Sequence, residues 1–536
     1  MRPAAGQALS WQKYVASALG LLGLCLAAHA QPIDSRRGAD SRVDYAALTR
    51  LGPWDDRNYK LTKEDLDLLA PNEAELLEPI PVFFRVALRK AHPDLPKSGP
   101  AQYPLSALQI FLQTYGGYMV DGKLSTRVEY REGRFVVLEA QEPAAEPAPE
   151  KALSGQVRIA GGAESAIKIS PTDANWVIAG TNGGAMYRSI DGGASWTPAA
   201  PLPLGGACCD PTVDWSADGV QAYTATLGGC TELSLCGVWV YRSADGGATW
   251  TDFQNQTPGD PRREITTSGS DKEYLHVDRH GTSPFRDHVY LTWHDRFVMQ
   301  LARSTDRGNT WSPPLPLSSG DPEKGIGSDI ATDKNGHVYY FWPAFNSRRI
   351  LVRKSTNGGA SFGPTVQVGS TRGAYYFPIP ADQTAFIYVA ADADLTGGPF
   401  ANRIYVAWAD STATPTTTPA SNHARVQVAF SSDGGATWSV RTPHETADAG
   451  AVDRFQPWLA VGQDGVVYLT FYDTRLASGR TGVDLFSSRS TDGGSTWSAP
   501  ARLTTATSPH VESSFEWGDY NGLDALSRQL LGIFTD

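Results

Sequence analysis

The sequence has 536 residues, of which 41% are hydrophobic and 19% charged, and its formal net charge is −11. This apolar content excludes a globally disordered chain. The acidic balance argues against nucleic acid as a main partner, because phosphate binding needs a basic surface.

Residues 1–30 have the layout of a cleavable secretory signal. Basic residues precede an apolar run from Val15 to Ala28, and Ala28-His29-Ala30 supplies the small residues of a cleavage site. The run is short for a membrane span, and no other stretch is apolar enough to cross a bilayer. We therefore expect a secreted or periplasmic protein without a transmembrane segment.

Residues 31–140 predict a small α+β region, and residues 141–153 predict a linker rich in proline, alanine and glutamate. Thr62 is placed to cap a helix whose first turn is acidic. Residues 126–138 predict two strands joined by a tight turn. The linker has no apolar face to bury, which is typical of a semi-rigid spacer.

From 154 to 536 one octapeptide recurs six times at spacings of 51 to 76 residues. Its acid or amide can accept hydrogen bonds from the turn backbone, its glycines permit positive φ, and its terminal Trp or Phe can anchor the turn. Each copy belongs to a unit of about four predicted antiparallel strands, which indicates an all-β fold, a β-propeller of four-stranded blades. The six turn residues are Asp191, Asp245, Asp306, Asn357, Asp433 and Asp492.

The cysteines left after removal of the signal lie in one loop region. They are Cys208, Cys209, Cys230 and Cys236. A bridge between the adjacent Cys208 and Cys209 would be strained, so we expect each of them to pair with Cys230 or Cys236, among the three connectivities that four cysteines allow. The cluster lacks the spacing and the histidines of a zinc site, and no metal is predicted.

One strand is unusually polar. Alternation places Tyr274, His276, Asp278 and His280 on one face, so His276 and Asp278 are candidate acid/base residues. The alternative is that Asp278 is the turn acid of its repeat. Further on, Asp392–Gly398 offers oxygen ligands suited to Ca²⁺ but lacks the full calcium-loop pattern. No cofactor is therefore predicted, with calcium as the alternative.

Two more strands are predicted after the sixth octapeptide, in 515–522 and 529–535. Two strands alone would leave an unpaired sheet edge, which proteins avoid. We therefore expect seven blades, the last completed by strands from 155–160 and from the hairpin at 126–138. Six blades with a C-terminal extension are the alternative.

The octapeptides resemble the Asp-box, or bacterial neuraminidase repeat, of the sialidase-like superfamily, and this resemblance covers 154–536. Segments 454–458, 471–475 and 517–522 resemble ones common in secreted bacterial proteins of this group. The resemblance implies a propeller that acts on glycans in its central funnel, with the Asp-boxes as peripheral scaffold. The Phe/Tyr-Arg-Ile-Pro segment that carries the first of three carboxylate-binding arginines in sialidases has no counterpart between 154 and 189.

Sialidases also use an aspartate as acid/base and a tyrosine, activated by a glutamate, as nucleophile. By this resemblance, inner-strand arginines and amides would bind substrate, and a tyrosine beside carboxylates would act on it. The candidates are Arg279, Arg454 and Gln456 for binding, and Glu516, Asp519 and Tyr520 for catalysis. The alternatives are structural ion pairs for the arginines and a ring-closing bend for 519–522.

Three functions are consistent with these features. The first is a monomeric, secreted, sialidase-like glycoside hydrolase of the exo-glycosidase type, whose partner is a glycan; convergent arginines in the funnel would favour it. The second is a non-catalytic propeller that binds glycan or protein, favoured by a funnel without a paired acid and base. The third is a polysaccharide lyase acting on uronates, favoured by a His–Tyr–Arg group.

Overall fold

The computed structural model describes residues 62–68, 86, 118–120, 123–125, 128–131, 134–137, 156–160, 162–203, 207–228, 236–252, 264–381, 384–510, 517–526 and 529–536. The predicted signal and linker lie outside these residues. None of the helices within these ranges is both long and apolar enough to span a bilayer. The chain divides into two compact units, an N-terminal one and a propeller.

The N-terminal unit contains one short helix, α1 (Lys63–Leu68). Thr62 Oγ1 accepts a hydrogen bond from the Asp65 amide (3.1 Å), and the Asp65 carboxylate accepts one from the Thr62 amide (3.1 Å). This reciprocal pair is a capping box and confirms Thr62 as the N-cap. Two antiparallel hairpins follow, β1 (Tyr118–Val120) with β2 (Lys123–Ser125) and β3 (Val128–Arg131) with β4 (Arg134–Val137), the second as predicted.

The second unit is a propeller of six mostly four-stranded antiparallel blades. The first three blades are β5 (Ala166–Ile169), β6 (Val177–Thr181), β7 (Ala185–Ser189) and β8 (Thr197–Pro198); β9 (Ala207–Trp215), β10 (Ala222–Gly228), β11 (Cys236–Ser243) and β12 (Thr251–Asp252); and β13 (Glu264–Val277), β14 (Val289–Asp295), β15 (Val298–Ser304) and β16 (Leu315–Pro316). The N-terminal part of β13 also pairs with β11, so the second and third blades share one sheet.

The remaining strands are β17 (Asp329–Thr332), β18 (Val338–Ala344), β19 (Arg349–Ser355) and β20 (Val366–Ser370); the hairpin β21 (Tyr376–Phe377) and β22 (Ala385–Phe386); β23 (Val389–Ala393), β24 (Ile404–Ser411), β25 (Ala424–Ser431) and β26 (Ser439–Arg441); β27 (Arg454–Val461), β28 (Val467–Asp473), β29 (Gly482–Ser490) and β30 (Ala501–Arg502); and β31 (Ser508–Pro509), β32 (Gly522–Leu526) and β33 (Gln529–Ile533). Short 3-10 turns lie at Asp321–Glu323, Pro419–Ser421 and Ser478–Arg480.

The first strand of each blade lines the propeller axis. These inner strands contact one another in the order β5, β9, β13, β17, β23 and β27, and the C-terminal hairpin β32–β33 fills the space between β27 and β5. The hairpin remains a two-stranded sheet, and residues 156–160 form no strand. The prediction of a complete seventh blade is therefore wrong, and the alternative of six blades with a C-terminal extension is confirmed: the two-stranded hairpin itself completes the ring.

The Asp-box turns form as predicted, between the third and fourth strands of each blade. In the first copy, Gly193 N donates to Ser189 Oγ (2.8 Å) and Ser195 N donates to Asp191 Oδ1 (2.8 Å). The hydrogen bond from the Ser195 hydroxyl to Asp191 is the largest cause that lowers the pKa of this carboxyl to about 2. Gly193 adopts φ 89°, a backbone region that favours glycine.

Replacing Asp433 by Ala should destabilise the fifth blade. Asp433 accepts hydrogen bonds from the Thr437 amide (2.9 Å) and hydroxyl (2.5 Å), and both would be lost. The expected decrease in the free energy of unfolding is about 1–3 kcal/mol, measured by urea denaturation. The control is Asp433→Asn, because the natural Asn357 makes the matching pair of bonds with Ser361. Equal stability of the alanine and asparagine variants would contradict this role.

The cysteine pairing differs from the prediction. Cys208 and Cys209 are joined to each other, with their Cα atoms 3.7 Å apart. The expected pairing of each with Cys230 or Cys236 is therefore wrong, since both sulfurs are already used; Cys230 and the side chain of Cys236 lie outside the described residues. Peptide mapping under non-reducing conditions should find Cys208 and Cys209 oxidised within one peptide, two mass units lighter than the reduced form. Recovery of either cysteine cross-linked to a different peptide would contradict this bridge.

Candidate functional site

Four residues on or next to the inner strands have an unusual backbone conformation. Glu164, Asp210, Lys272 and Gln456 have φ of 53°, 54°, 53° and 47°. Positive φ is uncommon for residues other than glycine. The pairing of β9, β13 and β27 is also irregular around these positions. Strained residues and bulges are over-represented at functional sites, so this level of the ring is the first place to seek chemistry.

Five carboxyl groups and one lysine gather at this level. They come from the start of the first blade, from β9, from β13 and from the segment before β32, and none is more than 5% exposed. We call this set the funnel cluster; its members are Glu164, Asp210, Asp271, Lys272, Glu273 and Asp519. Asn182 links two of them, since its amide donates to Glu164 and its oxygen accepts from the Asp210 amide (3.0 Å).

The electrostatics of the funnel cluster favour protonated carboxyls. Burial, followed by the charges of Asp519 and Asp210, raises the pKa of Glu164 well above its ordinary value. Burial and the charge of Asp210 likewise raise the pKa of Asp271 and of Glu273. Burial raises the pKa of Asp519 to about 6, against the opposing effect of Lys272. Carboxyl groups of this kind can hold a proton near neutral pH.

Several buried oxygens of the cluster lack a protein partner. Within the described part of the chain, neither oxygen of Glu273 accepts a hydrogen bond from another residue, and the same holds for Oδ1 of Asp210 and of Asp519. Buried polar atoms are normally satisfied. These oxygens are therefore available to a water molecule or to the hydroxyl groups of a ligand.

Three of the predicted site residues meet here. Asp519 belongs to the funnel cluster, and the ring of Tyr520 lies under the Lys272 ammonium, 3.2 Å from Nζ to the ring centroid. Gln456 donates to the carbonyl of Gly518 (2.5 Å). The Tyr520 hydroxyl donates to the carbonyl of Pro211 (3.2 Å) rather than to a carboxylate, and burial raises its pKa well above the ordinary value. This geometry does not resemble an activated tyrosine nucleophile.

Glu516, the third predicted catalytic residue of this segment, lies outside the described residues. The other candidates lie elsewhere. His276 contacts Thr332, with 2.9 Å between Nε2 and Oγ1, and Arg279 pairs with Asp214 at 3.6 Å. Both therefore have partners other than the residues of the funnel cluster. Burial and the charges of Arg279 and Lys168 lower the pKa of His276, which keeps this ring neutral.

Asp278 and Arg454 have structural surroundings. Asp278 accepts from the Ser283 hydroxyl (2.5 Å), in the turn that the alternative interpretation described. Burial raises its pKa to about 6. The guanidinium of Arg454 is 1% exposed and is held by Asp473 (2.7 Å) and Asp448 (2.7 Å). Its donors are occupied by these carboxylates, so it is poorly placed to bind an anionic ligand.

The channel below the cluster is braced by a belt of aspartates. The Asp524 carboxylate accepts a hydrogen bond from the Ile169 amide (2.8 Å). Three other aspartates accept the same kind of bond from a backbone amide on the inner strand of the next blade. These contacts join Asp214 to Val277, Asp329 to Ala391 and Asp392 to Val461. The candidate calcium residue Asp392 is thus used between blades. The described ranges contain no group of three or more His, Cys, Asp or Glu side chains arranged to hold a metal ion.

Sequence reasoning missed most of the funnel cluster. Glu164, Asp210 and the run 271–273 are far apart in the chain, and only closure of the ring brings them together. One signal was available: Asp271-Lys-Glu273 is a run of three charged residues directly before the polar strand predicted from Tyr274. Charged residues are rarely buried unless paired or functional, so such a run within an inner strand marks a candidate site.

Comparison with known proteins gives two separate matches along the sequence. Residues 44–129 match a protein-family model described as a domain of unknown function (DUF8300). A xyloglucanase of Hypocrea jecorina (strain QM6a) is 28% identical over 187 residues, which are 32% of this chain and 20% of that enzyme. The chain therefore matches only about a fifth of that relative's length.

The solved structures that are similar to this chain include a trans-sialidase, an arabinofuranosidase and a lectin. An intramolecular trans-sialidase from Ruminococcus gnavus is 12% identical, over 60% of this chain and 93% of that one, with a TM-score of 0.42. An α-L-arabinofuranosidase of Fusarium graminearum with arabinobiose is 14% identical, over 60% and 91%, with a TM-score of 0.39. A lectin from Burkholderia pseudomallei is 14% identical, over 64% and 99%, with a TM-score of 0.36.

Proposed function

We propose that this protein is a secreted glycoside hydrolase that cleaves a neutral glycan at the funnel cluster. The observation that carries the proposal is a group of buried carboxyls in which Asp519 retains its proton to about pH 6. Glycoside hydrolysis needs one carboxylic acid to protonate the leaving oxygen and one carboxylate to act as base or nucleophile. In this proposal Asp519 is the acid and Asp210 is the carboxylate.

The preference for a neutral sugar follows from charge. The funnel cluster has five carboxyls and one lysine, and its principal electrostatic interactions involve no arginine. The candidate arginines Arg279 and Arg454 are paired with aspartates away from it. An anionic sugar such as a sialoside or a uronate would lack the bidentate guanidinium partners that carboxylates need. This argues against both a sialidase and a lyase acting on uronates.

The proposal is tested by assaying the purified protein against matched aryl glycosides. We expect turnover of at least one neutral substrate, such as an arabinofuranoside, xyloside, galactoside or glucoside, and no turnover of sialosides or glucuronides. Asp519→Asn is the control for contaminating glycosidases. Preferential turnover of an anionic glycoside would overturn the substrate class, and absence of turnover on aryl glycosides and neutral polysaccharides would overturn the enzymatic proposal.

A non-catalytic glycan-binding role is the second candidate. It is favoured by the almost complete burial of the funnel carboxyls and by a surface cleft of about 230 Å³ outside the fifth and sixth blades. The cleft is lined by 441–445 and 495–500, including Trp497, and aromatic rings with polar neighbours suit sugar binding. Binding without turnover, abolished by Trp497→Ala but unaffected by Asp519→Asn, would support this role.

A further inference from the structure

Lys272 is a buried ammonium among carboxyl groups. It is 5% exposed, and its backbone φ is 53°. A lysine is rarely buried to this extent without a specific partner, and a left-handed residue that is not glycine is retained at an energetic cost. Both features call for a role that an apolar residue could not fill.

Aromatic faces hold the ammonium in place. Lys272 Nζ lies 3.2 Å from the ring centroid of Tyr520 and 5.5 Å from that of Tyr388. A cation above an aromatic face is attracted by the negative charge of the ring, more strongly when desolvated. Tyr388 also hydrogen-bonds to Asp519. Tyr388 therefore connects the lysine to the proposed acid, and Tyr520 follows that acid directly in the chain.

The charge of Lys272 opposes the repulsion among the carboxyls. Its ammonium favours the ionised forms of Asp519, Asp271 and Glu273, while the charge of Asp210 disfavours them. His294 approaches Asp271 (3.7 Å), but burial lowers the pKa of its ring to about 3, so it contributes no positive charge at neutral pH.

The titratable and charged groups around Lys272 come from several elements. They are Asp271 and Glu273 on β13, Asp210 on β9, His294 on β14, Tyr375 and Tyr388 on the segments flanking β21–β22, and Glu164, Asp519 and Tyr520.

We propose that Lys272 is a positioning residue for Asp519: its fixed ammonium determines the pH at which the funnel cluster gives up the proton that Asp519 donates to the leaving sugar. The inference deepens the proposed glycosidase function and rests on it for the kinetic part of its test. Lys272 touches no reacting atom in this scheme. It acts through the protonation of Asp519.

The test uses two neutral variants, Lys272→Met and Lys272→Gln, with Lys272→Arg as the charge-retaining control. An ammonium stabilises a nearby carboxylate and so lowers its pKa; its removal should raise the pKa of Asp519. In either neutral variant that folds, the high-pH limb of kcat should move upward by about one pH unit or more. Lys272→Arg should keep this limb close to that of the wild type. A fall in kcat with an unchanged limb in the neutral variants would overturn the proposal.

A measurement that does not need turnover separates this inference from the proposed function. The carboxyl resonance of Asp519 is followed by ¹³C NMR in protein labelled at aspartate carboxyl carbons and is assigned by its loss in Asp519→Asn. Its titration midpoint should be higher in the neutral variants than in the wild type and in Lys272→Arg. Coincident midpoints would overturn the role of Lys272 even if the enzyme is active. A shifted midpoint in a protein that hydrolyses no glycoside would support Lys272 and reject the glycosidase.

Discussion

Asp519→Asn should lower kcat on the best neutral glycoside by about 10²–10⁴-fold. The substitution keeps the shape of the side chain and removes the proton that the leaving oxygen requires. Burial is the largest cause of the raised pKa of Asp519, about 6, so the wild-type group is protonated at a pH where an ordinary aspartic acid is ionised. The measurement is steady-state kinetics at pH 5, with thermal unfolding as a check on folding.

The matched control for this variant is Asp278→Asn. Burial raises the pKa of Asp278 also to about 6, but this carboxyl accepts from Ser283 in a turn outside the funnel cluster. We expect kcat of the control to stay close to that of the wild type. Retention of more than a tenth of wild-type kcat by Asp519→Asn, or an equal loss in both variants, would contradict the assignment of the acid.

The pH dependence of the wild type follows from the same group. Because the acid must be protonated, kcat should fall as pH rises through about 6, the pKa to which burial raises Asp519. Asp519→Asn should remove this limb from the residual activity. A limb that persists in the variant would show that another group donates the proton.

Deleting residues 522–536 should open the propeller and leave an insoluble or protease-sensitive product. The C-terminal hairpin packs between the sixth and first blades, with Leu523 and Ile533 buried, and Asp524 binds both the Ile169 amide (2.8 Å) and Lys168 Nζ (3.2 Å). Burial of each large apolar side chain contributes about 1.5–3 kcal/mol. Without the hairpin, the inner strands on either side would expose apolar surface and unpaired polar groups.

A point variant tests the same closure in a protein that remains soluble. Asp524→Ala should lower the free energy of unfolding by about 3–5 kcal/mol, because it removes two charge-assisted hydrogen bonds, one from the buried Ile169 amide and one from the partly buried Lys168 ammonium. Asp464→Ala is the control: it loses only two solvent-exposed hydrogen bonds of the turn between β27 and β28, from the Val466 amide (3.1 Å) and the Tyr468 hydroxyl (3.3 Å), so it should lower the free energy of unfolding by less, about 0.5–1.5 kcal/mol. In the deletion experiment, a protein lacking residues 522–536 that stays monomeric and melts like the full-length chain would contradict closure by the hairpin.

Local features of the fold were predictable because their hydrogen bonds are local. In each Asp-box the acid or amide bonds to atoms within the same eight residues, as Asp191 does with Ser195, so the octapeptide alone specifies the turn. The capping box of Thr62 and Asp65 is predictable for the same reason. The blade count depended on how distant segments meet, and the seven-blade expectation was wrong because the hairpin completes the ring without further strands.

The candidate site was predictable only in part. Asp519, Tyr520 and Gln456 were found because they lie on or next to inner strands, but Glu164 and Asp210 join them through ring closure across hundreds of residues. The positive φ of Lys272 coincides with the pairing irregularity of β13 between Asp271 and Tyr274 and is not encoded by residue type. Arg454 was proposed to bind anions because its partners Asp448 and Asp473 could not be identified from the sequence.

The most direct test of the central claim is a crystal structure of Asp519→Asn with an oligosaccharide of the best neutral substrate bound. We expect sugar in the funnel, with the glycosidic oxygen about 2.6–3.2 Å from the side-chain amide that replaces the acid. Sugar bound only in the outer cleft between 441–445 and 495–500, with the funnel empty of ligand, would contradict it.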